Sequence, residues 1–127
     1  VLLGDVLHDF AWSHQTAQHR VKQLIDMLLK SAEVLVVIGN HDRINKKEFL
    51  TPTHSLTLLE GTPRLTIASR VVQFQRGPFR LLLVPYVYPG RFFEALATAG
   101  PNWTNNHIIL AHQELHGAAF HPDADKE

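Results

Sequence analysis

Apolar residues in this chain gather into short runs, and three of those runs stop abruptly at residues with coordinating or proton-transferring side chains. Val34-Leu35-Val36-Val37-Ile38 is β-branched and does not alternate, as expected of a strand buried on both faces, and it ends in Gly39-Asn40-His41-Asp42. Val1-Leu2-Leu3 leads into Gly4-Asp5, and His107-Ile108-Ile109-Leu110-Ala111 leads into His112. Between the first two runs, Val21, Leu24, Ile25, Leu28 and Leu29 recur at helical spacing and define one face of a helix from about Ser13 to Ser31. Ser13 is its candidate N-cap. Strand, helix and strand make a βαβ unit.

A polar loop rich in Asn, Lys, Thr and Pro follows, and then strand character returns at Leu65 to Ala68, Arg70 to Gln75 and Arg80 to Val84. Arg76-Gly77-Pro78 is a turn signal, so this middle part is expected to be antiparallel. Pro85, Pro89 and Gly90 form a rigid connection to a helix over Arg91 to Ala99, whose Phe92, Phe93, Leu96 and Ala97 suit a core face. Gly100-Pro101-Asn102 stops it. Strands alternating with helices place the chain in the α/β class.

Composition narrows the picture. A chain of 127 residues is about one domain long, and 45% apolar with 19% charged residues is ordinary for a globular protein. Lys plus Arg and Asp plus Glu number 12 each, so no net field draws the chain toward nucleic acid or a membrane. The absence of cysteine excludes a disulfide framework and a thiolate zinc site. No run approaches the roughly 20 residues of a membrane span. The expectation is a soluble, intracellular (cytoplasmic) protein without a membrane partner.

Nine histidines are many for this length. His14, His19 and His54 lie in polar surroundings and read as solvated. His116 and His121 belong to the polar end of the chain. His8, His41 and His112 stand at or just beyond strand ends, where chemistry in α/β sheets is found.

The ordered motifs Gly4-Asp5, Gly39-Asn40-His41-Asp42 and the single His112 resemble those of the calcineurin-like metallophosphoesterases. The resemblance implies a calcineurin-like β-sandwich flanked by helices, with residues 1–127 as the central part of one domain, incomplete at both ends. It implies metal-dependent phosphoester hydrolysis by in-line attack, with two divalent cations (Mn, Fe or Zn) stabilising the attacking and leaving oxygens. Asp5 would bridge the two cations, and Asn40 and His112 would bind one of them, a mixed oxygen and nitrogen set that suits first-row metals better than Ca. His41 would not be a ligand but would face the phosphoryl group as acid/base, with Asp42 bonded to its ring. Taken alone, Asp5 reads equally as a turn residue and Asn-His-Asp as a turn sequence.

The run Ala111-His112-Gln113-Glu114 and the segment Val84-Pro85-Tyr86-Val87 with Pro89-Gly90-Arg91-Phe92 are similar to repair nucleases of the SbcD type and to viral members. DNA or a nucleotide diester is accordingly the expected substrate, with Arg43, Lys46 and Lys47 close enough to meet a phosphate backbone, or else forming a solvated loop. His8 stands where the family usually has a carboxylate and would face substrate, unless Asp9 takes the family role. The Asp-x-His and Gly-His-x-His motifs of a complete site are missing, so the chain is expected to be the middle of a longer protein and to turn over little by itself. A phosphomonoesterase, a protein phosphatase or a non-catalytic scaffold of the same fold are the competing functions.

Overall fold

The computed structural model describes residues 1–8 and 14–115. Five strands and two helices follow in the order α1 (Gln15–Leu29), β1 (Val34–Val37), β2 (Leu65–Ala68), β3 (Val72–Arg76), β4 (Phe79–Val84), α2 (Phe92–Ala97) and β5 (Ile108–Ala111). Short 3-10 turns lie at Thr57–Leu59 and Trp103–Asn105. The α/β class holds, in two sheets: β1 pairs with β2, and the second sheet runs β3-β4-β5.

Burial explains why β1 does not alternate. Val34, Val36 and Ile38 pack with Val21 and Ile25 of α1, whereas Leu35 and Val37 face Ala68 and Leu83 of the neighbouring strands. β4 divides in the same way, with Leu82 and Val84 against Ala95 and Leu96 of α2 and Leu83 against β1. Successive strand residues point to opposite faces, so a strand between two packed layers must be apolar throughout. The layers run α1, first sheet, second sheet, α2, a β-sandwich flanked by helices.

Two expectations change. β2 pairs with β1 in parallel and β5 with β4 in parallel, so among the named strands β3 with β4 is the antiparallel pair. The long connection from β1 to β2 gives the chain the reach for the crossover that parallel pairing requires. In α1, Val21 and Ile25 are buried, but Leu24 is 37% exposed and lies at the margin of the apolar face. The N-cap position is His14, without a side-chain cap, and Ser13 lies outside the described residues. So do Asp9, His116 and His121. Among the described residues no helix is long and apolar enough to cross a membrane.

Candidate metal and acid/base centre

The three run ends meet, two from the first sheet and one from the second. Leu2 N donates to Leu35 O at 2.8 Å and Val37 N donates to Leu2 O at 2.9 Å, a parallel bridge that sets the first run beside β1. After Leu3 the chain turns sharply, with Gly4 at φ 92° and Asp5 at φ 52°. A non-glycine residue in the left-handed region is uncommon, although Asp is among the types that tolerate it, and such strain persists only where the surroundings hold it. Here Asp5 Oδ1 accepts a hydrogen bond from His41 N at 2.9 Å. A Cβ on Gly39 would collide with Asp5 Oδ1 and Asp5 N, and one on Gly4 would collide with the ring of His112. These two glycines allow the three loops to approach so closely.

His112 is the meeting point. Its Nδ1 lies 2.7 Å from the carbonyl of Leu3, and because a carbonyl only accepts, Nδ1 carries the proton. In the neutral ring Nε2 then presents a lone pair, and it faces Asn40 Oδ1 at 2.9 Å and Asp5 Oδ2 at 3.4 Å. With the ring in this neutral tautomer, three electron-pair donors converge. Reversing the Asn40 amide would pair it with Nε2 and still leave the Asp5 carboxylate uncompensated. A divalent cation satisfies all three, so the residues present fit a metal of the kind that takes mixed oxygen and nitrogen ligands. Among the described residues no group of three or more His, Asp or Glu side chains forms such a set, and this one reaches three donors only through the Asn40 amide.

His41 sits beside this set and is partly exposed. Its Nδ1 lies 2.7 Å from the carbonyl of His8, which places the Nδ1 proton, with Nε2 on the opposite side of the ring. The His8 ring stacks on that of His41, centroids 4.7 Å apart and planes 12° from parallel. His8 therefore orients His41 through its backbone and lies in the same open space.

Asp42 does not have the expected part. Its carboxylate is buried and accepts from Leu7 N at 3.1 Å and Gly39 N at 2.9 Å, with Ser55 Oγ at 3.5 Å. The bond at His41 Nδ1 belongs to the His8 carbonyl instead. Asp42 is a tie between the Gly4–His8 turn and the end of β1, because the turn after His41 sends its side chain inward. Arg43 is also displaced from its expected role: it is 0% exposed and donates from Nη1 to Glu48 O at 2.7 Å, so it cannot meet a phosphate backbone from this position. Its Nε and Nη2 are buried without a partner, and burial lowers its pKa against the opposing pull of Glu48 and Tyr86. Lys46 pairs with Glu114 at 3.8 Å, and Lys47 is exposed. His54 is buried, with Nε2 2.9 Å from Glu60 Oε1 and Nδ1 accepting from Leu56 N, a clasp within the loop that follows the centre.

Tyr86 is the neighbour that sequence reasoning overlooked. Its ring meets the His112 ring edge-on at 6.3 Å, and its hydroxyl donates to Glu114 Oε1 at 3.2 Å. Burial, reinforced by the Glu114 charge, raises its pKa to about 12, so the phenol remains a donor at neutral pH. The available signal was its place two residues beyond the apolar run of β4, matching the other strand ends.

Comparison with known proteins agrees with this geometry. The family model for calcineurin-like phosphoesterases matches residues 1–126. The chain is 35% identical over 118 residues to "Putative phosphoesterase 244L" of Invertebrate iridescent virus 6, covering 92% of this chain and 42% of that protein. It is 34% identical over 119 residues to "Putative phosphoesterase 078R" of Invertebrate iridescent virus 3, covering 92% and 34% respectively. The chain thus spans less than half the length of these curated relatives. No solved structure matches it significantly. Because the family match takes in every strand end that meets at His112, the chain belongs to the calcineurin-like phosphoesterase family.

Proposed function

We propose that these residues are the central part of a single metallophosphoesterase domain, and that the intact protein is a phosphodiesterase or nuclease acting through a dinuclear centre of Mn, Fe or Zn. The observation that carries this reading is the convergence of His112 Nε2, Asn40 Oδ1 and Asp5 Oδ2, with Nε2 2.9 Å and 3.4 Å from the two oxygens. When bound, divalent cations supply Lewis-acid stabilisation of the charge that develops on phosphoryl oxygens. Asn40 and His112 would hold one cation, and the Asp5 carboxylate would contribute to the same centre.

The other groups act around that set. Leu3 O fixes the His112 ring with its Nε2 lone pair toward Asn40 and Asp5, and His41 N fixes one oxygen of the Asp5 carboxylate. With its Nδ1 proton held by the His8 carbonyl, His41 can deliver a proton from Nε2 to the leaving oxygen, a contribution worth roughly 100- to 10,000-fold. His8, stacked on the His41 ring, would face substrate. Lys47 is an exposed cation of the loop after the centre, and we assign backbone-phosphate contact to it in place of Arg43.

The test is hydrolysis by the intact protein with Mn, offered single- and double-stranded DNA, a simple phosphodiester and a phosphoserine peptide. Cleavage of the diesters is expected. Cleavage of the peptide alone would make the protein a phosphomonoesterase, and cleavage of none, with metal bound, would make it a scaffold.

A further inference from the structure

The ladder between β4 and β5 ends with Val84 opposite Ala111 and a long bond from His112 N to Val84 O at 3.4 Å. Contact between the two segments does not end there. Gln113 Nε2 donates to Pro85 O at 3.0 Å, and the Tyr86 hydroxyl donates to Glu114 Oε1 at 3.2 Å, so side chains carry the parallel register two residues past the sheet. Pro85 has no N–H, which rules out one ladder bond at that point, and the side-chain bonds stand in its place. Tyr86 N in turn donates to Ile38 O at 2.8 Å, two residues before Asn40. Tyr86 is therefore tied to the end of β1 that leads to Asn40, through Ile38 O, and to the His112 loop, through Glu114 and the edge of the His112 ring.

We propose that Tyr86 is a positioning residue for His112, and that its hydroxyl bond to Glu114 sets the distance between His112 Nε2 and Asn40 Oδ1. The proposal rests on the reading of His112 as a metal ligand given above. A buried phenol costs free energy unless its hydroxyl is bonded, and here the partner lies on the loop that carries His112, so packing of the Tyr86 ring and placement of that loop are one constraint. Lys46 Nζ, 3.8 Å from the same Glu114 oxygen, holds the carboxylate from the solvent side.

The experiment compares wild type with Tyr86→Phe, Tyr86→Leu, Glu114→Gln and His112→Ala in the intact protein. The readouts are Mn affinity by calorimetry, the imidazole nitrogen shifts of His112 in the metal-free protein, and thermal melting. Tyr86→Phe keeps the ring and loses the bond, and is expected to weaken Mn binding by about ten-fold, the scale of a lost ligand-orienting contact, with an altered His112 signal. Glu114→Gln retains an acceptor oxygen and should bind Mn within a few-fold of wild type, a rescue that stability alone would not produce. If Tyr86→Leu fails to fold, Tyr86→Phe decides. Unchanged affinity and unchanged His112 shifts in Tyr86→Phe, with Mn binding lost in His112→Ala, would overturn the role of Tyr86. Unchanged Mn affinity in His112→Ala would instead overturn the ligand reading on which it rests.

Discussion

Nε2 of His112 lies 2.9 Å from Oδ1 of Asn40, across 72 residues of chain. The approach depends on Gly39, whose missing Cβ makes room for the Asp5 carboxylate and amide. Backbone and a short carboxylate cannot move aside as a long side chain would. Gly39→Ala is therefore expected to destabilise the fold by about 1–3 kcal/mol, the usual cost of overpacking, and to reduce metal content. Chemical denaturation and metal analysis of the same sample check both.

Asp42 should prove a residue of stability. Asp42→Ala leaves the amides of Leu7 and Gly39 without their acceptors in a buried place, at about 1–3 kcal/mol each. His41 is partly exposed, and His41→Ala should change stability by no more than about 0.5 kcal/mol. Urea midpoints of the two variants separate these expectations, and equal midpoints would show that the Asp42 bonds to Leu7 and Gly39 carry no stability.

That contrast marks how far the sequence was legible. Hydrophobic runs declared the strands, because β1 and β4 lie between packed layers and carry apolar residues on both faces. The run ends pointed to Asp5, Asn40 and His112, which follow core strands of the two packed sheets. What stayed hidden depended on where a turn sends a side chain. The resemblance implied that Asp42 bonds the His41 ring, yet Nδ1 of that ring lies against a backbone carbonyl, which no residue type announces. Charge suggested that Arg43 is solvated, and polar neighbours suggested the same of His54, yet both are buried by a loop that folds back on itself.

Burial of Arg43 has a consequence for nucleic-acid binding. Each phosphate contact contributes roughly 0.9 to the log-log salt slope on duplex DNA. Lys47→Ala should lower the slope by about that amount, whereas Arg43→Met should leave it unchanged. Fluorescence anisotropy at several salt concentrations measures both, and a lower slope in Arg43→Met would show that the guanidinium reaches the phosphates.

Tyr86 predicts a window of alkaline sensitivity in the metal-free protein. Its folded pKa of about 12 stands above the ordinary value of 10.0, so the folded state holds the proton more tightly than the unfolded chain. The resulting stability is complete below about pH 10 and is lost as pH rises through about 12, where the folded phenol ionises. An absorbance titration of wild type against Tyr86→Phe isolates this tyrosinate, and its appearance near pH 10 would contradict the buried, Glu114-bonded placement.

The central claim is that His112 belongs to the metal and His41 to the proton, and metal content measured beside turnover in the two alanine variants of the intact protein tests it most directly. His112→Ala should lose metal and turnover together, while His41→Ala should retain its metal and lose about 100- to 10,000-fold in turnover. Metal lost from His41→Ala, or retained in full by His112→Ala, would contradict the account.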